Sequence, residues 1–353
     1  MPGPEVHKPS TLIAFPAVIR LLKTLLALTV LSLMAVAACG AWWLQQPLSM
    51  PAPVRNGALL DLSIPPGASA RAVAQAVADA GVDVSPFWLF VWFRVSGESR
   101  QIKAGSYELD AQTTPAGLLD KLVRGEQAMR SITLIEGWNI RQVLQALQDS
   151  PDLTQDLAGL SGESLMAHLG YPGRHPEGRF FPDTYRVPKH TPASAVLKLA
   201  AQTMEQQLSS VWAQRAPASV LRSANEALIL ASIIEKETGL ERDRALIAGV
   251  FHNRLRIGMR LQTDPSVIYG LGERFDGNIR RKDLQTDTPY NTYTRAGLPP
   301  TPIAMPGRSS LLAAVQPANT RALYFVAQGN GGSYFSETLA EHNAAVRRYI
   351  LQR

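Results

Sequence analysis

The longest unbroken apolar segment runs from Thr24 to Leu44, TLLALTVLSLMAVAACGAWWL, 21 residues without a charged side chain. As a helix it would rise about 31 Å, enough to cross the ~30 Å hydrocarbon of a bilayer, and no comparable run follows it. Beyond it, Gln46–Asn56 carries three prolines and little periodicity, the pattern of a linker. Ala58–Ile64 predicts a strand, Pro65-Pro66-Gly67 a turn, and Ser69 the cap of a helix over Ala70–Ala80 that Gly81 stops. A largely apolar helix is expected over Pro86–Val95 and a returning strand over Ile102–Leu109, giving a small α+β module. A helix over Thr114–Val123, a strand over Ser131–Ile135 and a helix over Ile140–Gln148 read as a further unit of the same kind. Gly173–Pro188, dense in Pro, Gly and aromatics, reads as an ordered loop. A helix over Ala193–Ser210 opens a mostly helical C-terminal domain that reaches a strand at Leu323–Gln328.

Composition adds limits. With 353 residues, 46% hydrophobic and 18% charged, the chain is ordinary globular material of roughly two domains, which excludes wholesale disorder, collagen and a simple coiled coil. The net charge is +6, of which Glu5, Lys8, Arg20 and Lys23 supply +2 ahead of the apolar run. The +4 left on everything after it is too little to argue for nucleic acid as a partner. Those leading charges place residues 1–23 in the cytoplasm and everything after Leu44 outside, if the run is an uncleaved anchor. Two alternatives stay open: a cleaved secretory signal, and a lipoprotein signal in which Val36-Ala37-Ala38-Cys39 is cut and the thiol acylated. As the single cysteine, Cys39 forms no internal disulfide, so the exterior portion is held by its core alone.

Candidate chemistry concentrates in the C-terminal half. Asn225–Thr238, NEALILASIIEKET, is apolar on nearly every side, the signature of a helix buried all round. Gly239 stops it and leaves Glu235 and Glu237 in the last turn, where the helix dipole and burial both disfavour the ionised carboxylate. Such a carboxyl stays protonated near neutrality and can donate a proton; the competing reading is a surface helix end with both carboxylates solvated. The six histidines are scattered, with no metal-ligand spacing, and neither a GxSxG elbow nor a phosphate or dinucleotide loop occurs, so no metal and no cofactor are expected. Arg254–Gly270 and Thr288–Gly307 bring Gln262, Thr263, Tyr290, Asn291 and Tyr293, the flat apolar faces and hydrogen-bonding edges a sugar chain requires of a groove. Taken alone, each tyrosine reads first as packing, and Arg254, Arg256 and Arg260 either meet carboxylates on a ligand or form a solvated basic face.

SIIEKETG at Ser232–Gly239, the following ERDRALIAGVFHNRLRIGMRLQTDPSVIYGLGE and YNTYTRAGLPP closely resemble the endolytic murein transglycosylase (MltG, YceG-like) family. The likeness extends through Gln316–Ser336 and AEHN at Ala340–Asn343, and upstream to EGW at Glu136 and FFPDTY at Phe180, weakening over Asn56–Val95. It implies a single-pass inner-membrane protein: cytoplasmic tail 1–23, transmembrane helix 24–44, linker 45–56, LysM-like α+β module 57–130, connecting α+β region 131–190 and a mostly helical, lysozyme-like catalytic domain 191–353 with a few strands. It implies cleavage of the MurNAc–GlcNAc bond within the glycan strands of peptidoglycan, the C6 hydroxyl closing on C1 to leave a 1,6-anhydro end. The family's catalytic glutamate falls on Glu237, with Glu235 a neighbour, and Gln262, Thr263, Tyr269, Asn291, Tyr293 and Asn319 become candidates for holding the sugars. Peptidoglycan synthases (penicillin-binding proteins) are the protein partners the resemblance suggests. Two rivals stay open: a noncatalytic wall-binding scaffold, and a muramidase that uses water. The lipobox-like VAAC departs from a typical anchor and bears on anchoring, not on activity.

Overall fold

The computed structural model describes residues 15–351, with side chains from Ile19 onward; Glu5 and Lys8 lie outside the described residues. The architecture is mixed α and β, and by contacts the chain divides into two compact units that meet at Ala128/Met129.

The first unit opens with helix α1, Phe15–Leu44, of which Ile19–Leu44 is long and apolar enough to cross a membrane. The helix begins well before Thr24 because nothing between Arg20 and Thr24 breaks it, and Arg20 and Lys23 therefore ride on the helix rather than on a separate tail. A short α2 (Ala52–Arg55) leads to β1 (Leu60–Ile64), α3 (Ala70–Asp79), α4 (Pro86–Val95), β2 (Gly105–Leu109) and α5 (Pro115–Arg124). The strand–helix–helix–strand order is thus present, and β1 and β2 pair antiparallel, Leu60 opposite Leu109 and Ile64 opposite Gly105. The Ser69 hydroxyl accepts the Ala72 N–H (3.2 Å) and Thr114 accepts that of Gly117 (3.0 Å), capping α3 and α5. Leu62, Val73, Val77, Leu89, Phe93, Tyr107 and Leu118 close the core of this unit.

The second unit contains β3 (Met129–Thr133), α6 (Ile140–Gln148), β4 (Leu153–Thr154), α7 (Gly162–Leu169), β5 (Thr184–Pro188), β6 (Thr191–Pro192) and α8 (Ala193–Ala213). There follow α9 (Ala224–Glu237), α10 (Glu241–Arg256), α11 (Asp264–Leu271), α12 (Arg281–Gln285), α13 (Arg308–Val315), β7 (Tyr324–Ala327), β8 (Ser333–Ser336) and α14 (Leu339–Val346). The loop expected over Gly173–Pro188 ends in a strand: Thr184–Pro188 pairs antiparallel with β3, burying Tyr185 and Val187 while Thr184 and Arg186 face out. The sequence hides it because an alternation this short lies between prolines. Likewise β8 pairs with β7 out of a Gly- and Ser-rich context that carries no strand signal. Two cores lie in this unit. One joins residues 132–201 with Met305, so α8 shares its apolar face with the region before it; the other surrounds α9.

Candidate active site

Helix α9 is central to its core. Ser223 caps it by accepting the Glu226 N–H (3.1 Å), and Ala227 through Ile234 are all buried, packed by α8, α10, α11 and α13. It ends at Glu237 because Thr238 turns extended (φ −151°, ψ 138°) and its hydroxyl accepts the Leu240 N–H (3.0 Å). Two residues apart on a helix, Glu235 and Glu237 point about 200° from one another, and each meets a different set of groups.

Glu235 accepts the N–H of Gly307 (3.0 Å) and lies 3.6 Å from the guanidinium of Arg244, both side chains nearly buried. Glu136 stands beside them, its carboxyl held above the usual range by burial and then by the Glu235 charge. A Cβ at Gly307 would sit 1.8 Å from a Glu136 oxygen, so a side chain there would displace the Glu136 carboxylate. Lys236 donates to the Gly137 carbonyl (3.1 Å), and Gly137 and Trp138 exchange backbone hydrogen bonds with Met305 (2.9 and 2.7 Å). The EGW motif therefore stitches the C-terminus of α9 to the segment before α13.

Glu237 turns the other way, towards the loop before α11, where Thr263 donates its hydroxyl proton to Glu237 Oε1. Burial pushes the Glu237 carboxyl up to about 7, with the Asp264 charge adding to the rise while Thr263 and the Arg254 cation oppose it. The reading of a fully solvated helix end does not hold. Thr263 is itself fixed: its N–H donates to Thr292 Oγ1 (3.0 Å), and Ser266 donates to the Thr263 carbonyl (2.9 Å) within a buried hydroxyl network. Gln262, exposed beside it, holds a left-handed φ of 49° and donates its N–H to the Thr292 carbonyl (3.1 Å). Such a conformation in a non-glycine residue is uncommon and tends to occur at ligand clamps and active sites. Tyr293 donates its hydroxyl to Asp264 (2.5 Å), and burial together with that partner raises the phenol above its ordinary value.

The other candidates are used differently. Asn291 is 1% exposed, and its amide donates to the carbonyls of Asp283, Leu284 and Thr286 (3.1, 3.1 and 2.7 Å) while its oxygen accepts the Tyr293 N–H (2.9 Å). Its hydrogen bonds build the turn that carries Tyr293. Tyr269 packs edge-on against Tyr290 (4.9 Å between centroids). Asn319 lines a separate cavity of about 810 Å³ together with His252, Asn253 and Arg256, which Glu237 does not border. Arg254 is buried, donating to the carbonyls of Leu323 (2.7 Å) and Leu261 (2.5 Å), so it forms no part of a solvated basic face.

Sequence reasoning missed Glu177. It is fully buried, takes the Ile140 N–H on both oxygens (3.1 and 3.2 Å) at the start of α6, and is pushed up to about 7 by desolvation. Nothing local marks it: Pro176-Glu177-Gly178 reads as a turn. Among the described residues no group of three or more His, Cys, Asp or Glu converges on a metal position.

Residues 62–348 match the YceG-like family. The endolytic murein transglycosylase of Bacillus subtilis (strain 168) is 33% identical over 329 residues, covering 88% of this chain and 90% of that one. The endolytic murein transglycosylase of Streptococcus pneumoniae serotype 2 (strain D39) is 25% identical over 334 residues, 85% of this chain and 60% of the longer relative. The crystal structure of a yceG-like protein from Listeria monocytogenes superposes with a TM-score of 0.50 at 29% identity, covering 81% of this chain and 99% of that one.

Proposed function

The chain belongs to the YceG-like family, and from that premise we propose that it is an endolytic murein transglycosylase, a lyase acting on peptidoglycan glycan strands, with Glu237 as its acid and base. The observation that carries the assignment of Glu237 is a carboxyl at the end of an otherwise apolar helix, kept near 7 by burial and gripped by Thr263. At neutral pH about half of it is protonated, against roughly one in 300 for a carboxyl at its ordinary 4.5.

The protonated carboxyl gives its proton to the oxygen of the MurNAc–GlcNAc bond as that bond breaks and oxocarbenium character grows at C1. The carboxylate left behind takes the proton of the C6 hydroxyl as the C6 oxygen closes on C1, giving the 1,6-anhydro end and returning Glu237 to its starting state. Thr263 steadies the carboxylate in both halves. Gln262, exposed beside Thr263, and Tyr293, bonded to Asp264, are the side chains to test for contact with the sugars, with Asn291 holding the Tyr293 N–H. No cofactor enters.

A water-using muramidase needs a second carboxylate, and Asp264 is the one whose charge Glu237 feels. Its carboxylate is already engaged by the Tyr293 hydroxyl at the start of α11, which favours a role in holding that turn. Digestion of purified peptidoglycan followed by mass spectrometry decides: anhydro ends on nearly all products are expected, lost in Glu237→Gln. Reducing ends in proportion to cleavage would restore Asp264 as a hydrolytic partner, and full cleavage by Glu237→Gln would remove the assignment.

In this reading α1 is a single-pass anchor in the inner membrane with its N-terminus in the cytoplasm, since Arg20 and Lys23 sit at its leading end. The α+β module that follows it within the first unit is LysM-like, the lysozyme-like catalytic domain is periplasmic, and peptidoglycan synthases are the partners to test.

A further inference from the structure

Helix α4, PFWLFVWFRV, has two apolar sides. Leu89 and Phe93, both 0% exposed, face the core of the first unit, while Phe87, Trp88 and Val95 are 60%, 60% and 76% exposed on the far side. A water-facing helix carries polar residues there, and one that is apolar all round is enclosed by protein or by lipid. Phe87 and Trp88 pack edge to face (5.2 Å between centroids), forming a stiff aromatic ridge.

The far side of α4 is continuous with the membrane span. Trp88, Val91 and Val95 form one wall of an apolar groove of about 680 Å³ whose other wall includes Val36, Ala37 and Gly40 of α1. The 26 residues of Ile19–Leu44 rise about 39 Å, so with the span centred in a ~30 Å hydrocarbon slab about ten residues lie on each side of the midplane. Val36 to Gly40 then fall within hydrocarbon, and whatever shares their groove falls there as well. Arg71, stacked over Phe90 (5.1 Å), and exposed Arg94 put positive charge around α4, suited to lipid headgroups.

We propose that α4 is a second, non-spanning membrane contact: its exposed apolar flank lies in the leaflet on the folded side of α1, with lipid acyl chains filling the α1–α4 groove. Ten residues are too short to cross, so the helix enters and stays on one side. A single spanning helix leaves a folded unit free to swivel about the helix axis; a second contact beside it removes that rotation. The inference rests on reading α1 as a membrane span, and the test separates the two.

The full chain, in a Cys39→Ser background, is reconstituted in phosphatidylcholine–phosphatidylglycerol vesicles with an environment-sensitive fluorophore on one introduced cysteine. The positions are Leu33→Cys in the span, Val95→Cys on α4 and Asp79→Cys on α3, all exposed and so tolerant of the change. The expected result is that the labels at 33 and 95 lose emission to a doxyl-labelled lipid and are shielded from iodide, while the label at 79 does the reverse. Lipid quenching at 33 with iodide quenching at 95 overturns the proposal and leaves the span intact. Shielding of 95 from both quenchers means that protein, such as a second copy, covers α4, and also overturns it. Iodide quenching at 33 removes the span reading and the proposal together.

Discussion

Replacing Glu237 by glutamine tests the burial argument independently of catalysis. The amide keeps the size and the acceptor for the Thr263 hydroxyl but does not titrate. In the wild type the folded carboxyl sits near 7 and the unfolded one near the ordinary 4.5, so between those values the folded state holds a proton that the unfolded state has lost. Stability from this group is therefore fully present below about pH 4.5, falls as pH rises towards about 7 and is flat above it. A window of about 2.5 in pH, at about 1.4 kcal/mol for each, sets an upper limit of roughly 3–4 kcal/mol. Glu177 loses its proton over the same range but is common to both proteins, so it cancels in their difference. The expected outcome is that Glu237→Gln gains on wild type by up to about 3–4 kcal/mol between pH 4.5 and 7, while cleavage falls by about 10²-fold or more. Urea unfolding of both proteins in detergent at a series of pH values reads the first; anhydro-muropeptide yield reads the second. A stability difference that does not change with pH would mean that Glu237 titrates as an ordinary carboxyl, and the explanation of its acidity by burial would be wrong.

Thr263→Val removes the donor that holds the Glu237 carboxyl down, so the alkaline limb of the cleavage profile moves to higher pH while the maximal rate falls; an unmoved limb would count against that hydrogen bond. Glu235→Ala takes away the acceptor of the Gly307 N–H and a partner of nearly buried Arg244, costing about 2–4 kcal/mol in thermal unfolding, whereas Glu235→Gln keeps an acceptor and is milder in both stability and activity. Gly249→Ala places a Cβ 2.7 Å from the Ala318 carbonyl oxygen and 2.6 Å from Thr320 Cγ2. It is expected to destabilise by about 1–3 kcal/mol although alanine is the better helix former by about 1; a stabilised variant would show that the α10 contact is slack.

What the sequence determined was local. The bounds of α4 and α6, the cap at Ser69, and the close of α9 at a pair of glutamates follow from residues within a turn or two of one another, where periodicity, capping and chain stops operate. The choice between Glu235 and Glu237 came from resemblance, because one turn of helix presents both. Tertiary structure gave them different surroundings. Thr263 reaches Glu237 from 26 residues away, and Gly307 reaches Glu235 from 72 residues away. The same distance in sequence hid the pairing of Thr184–Pro188 with β3, the burial of Glu177 against the start of α6, and the diversion of Asn291 and Arg254 into backbone support. A carboxyl's acidity depends on how much water its neighbours exclude and on which charges remain close, and those neighbours are brought together only when the chain packs.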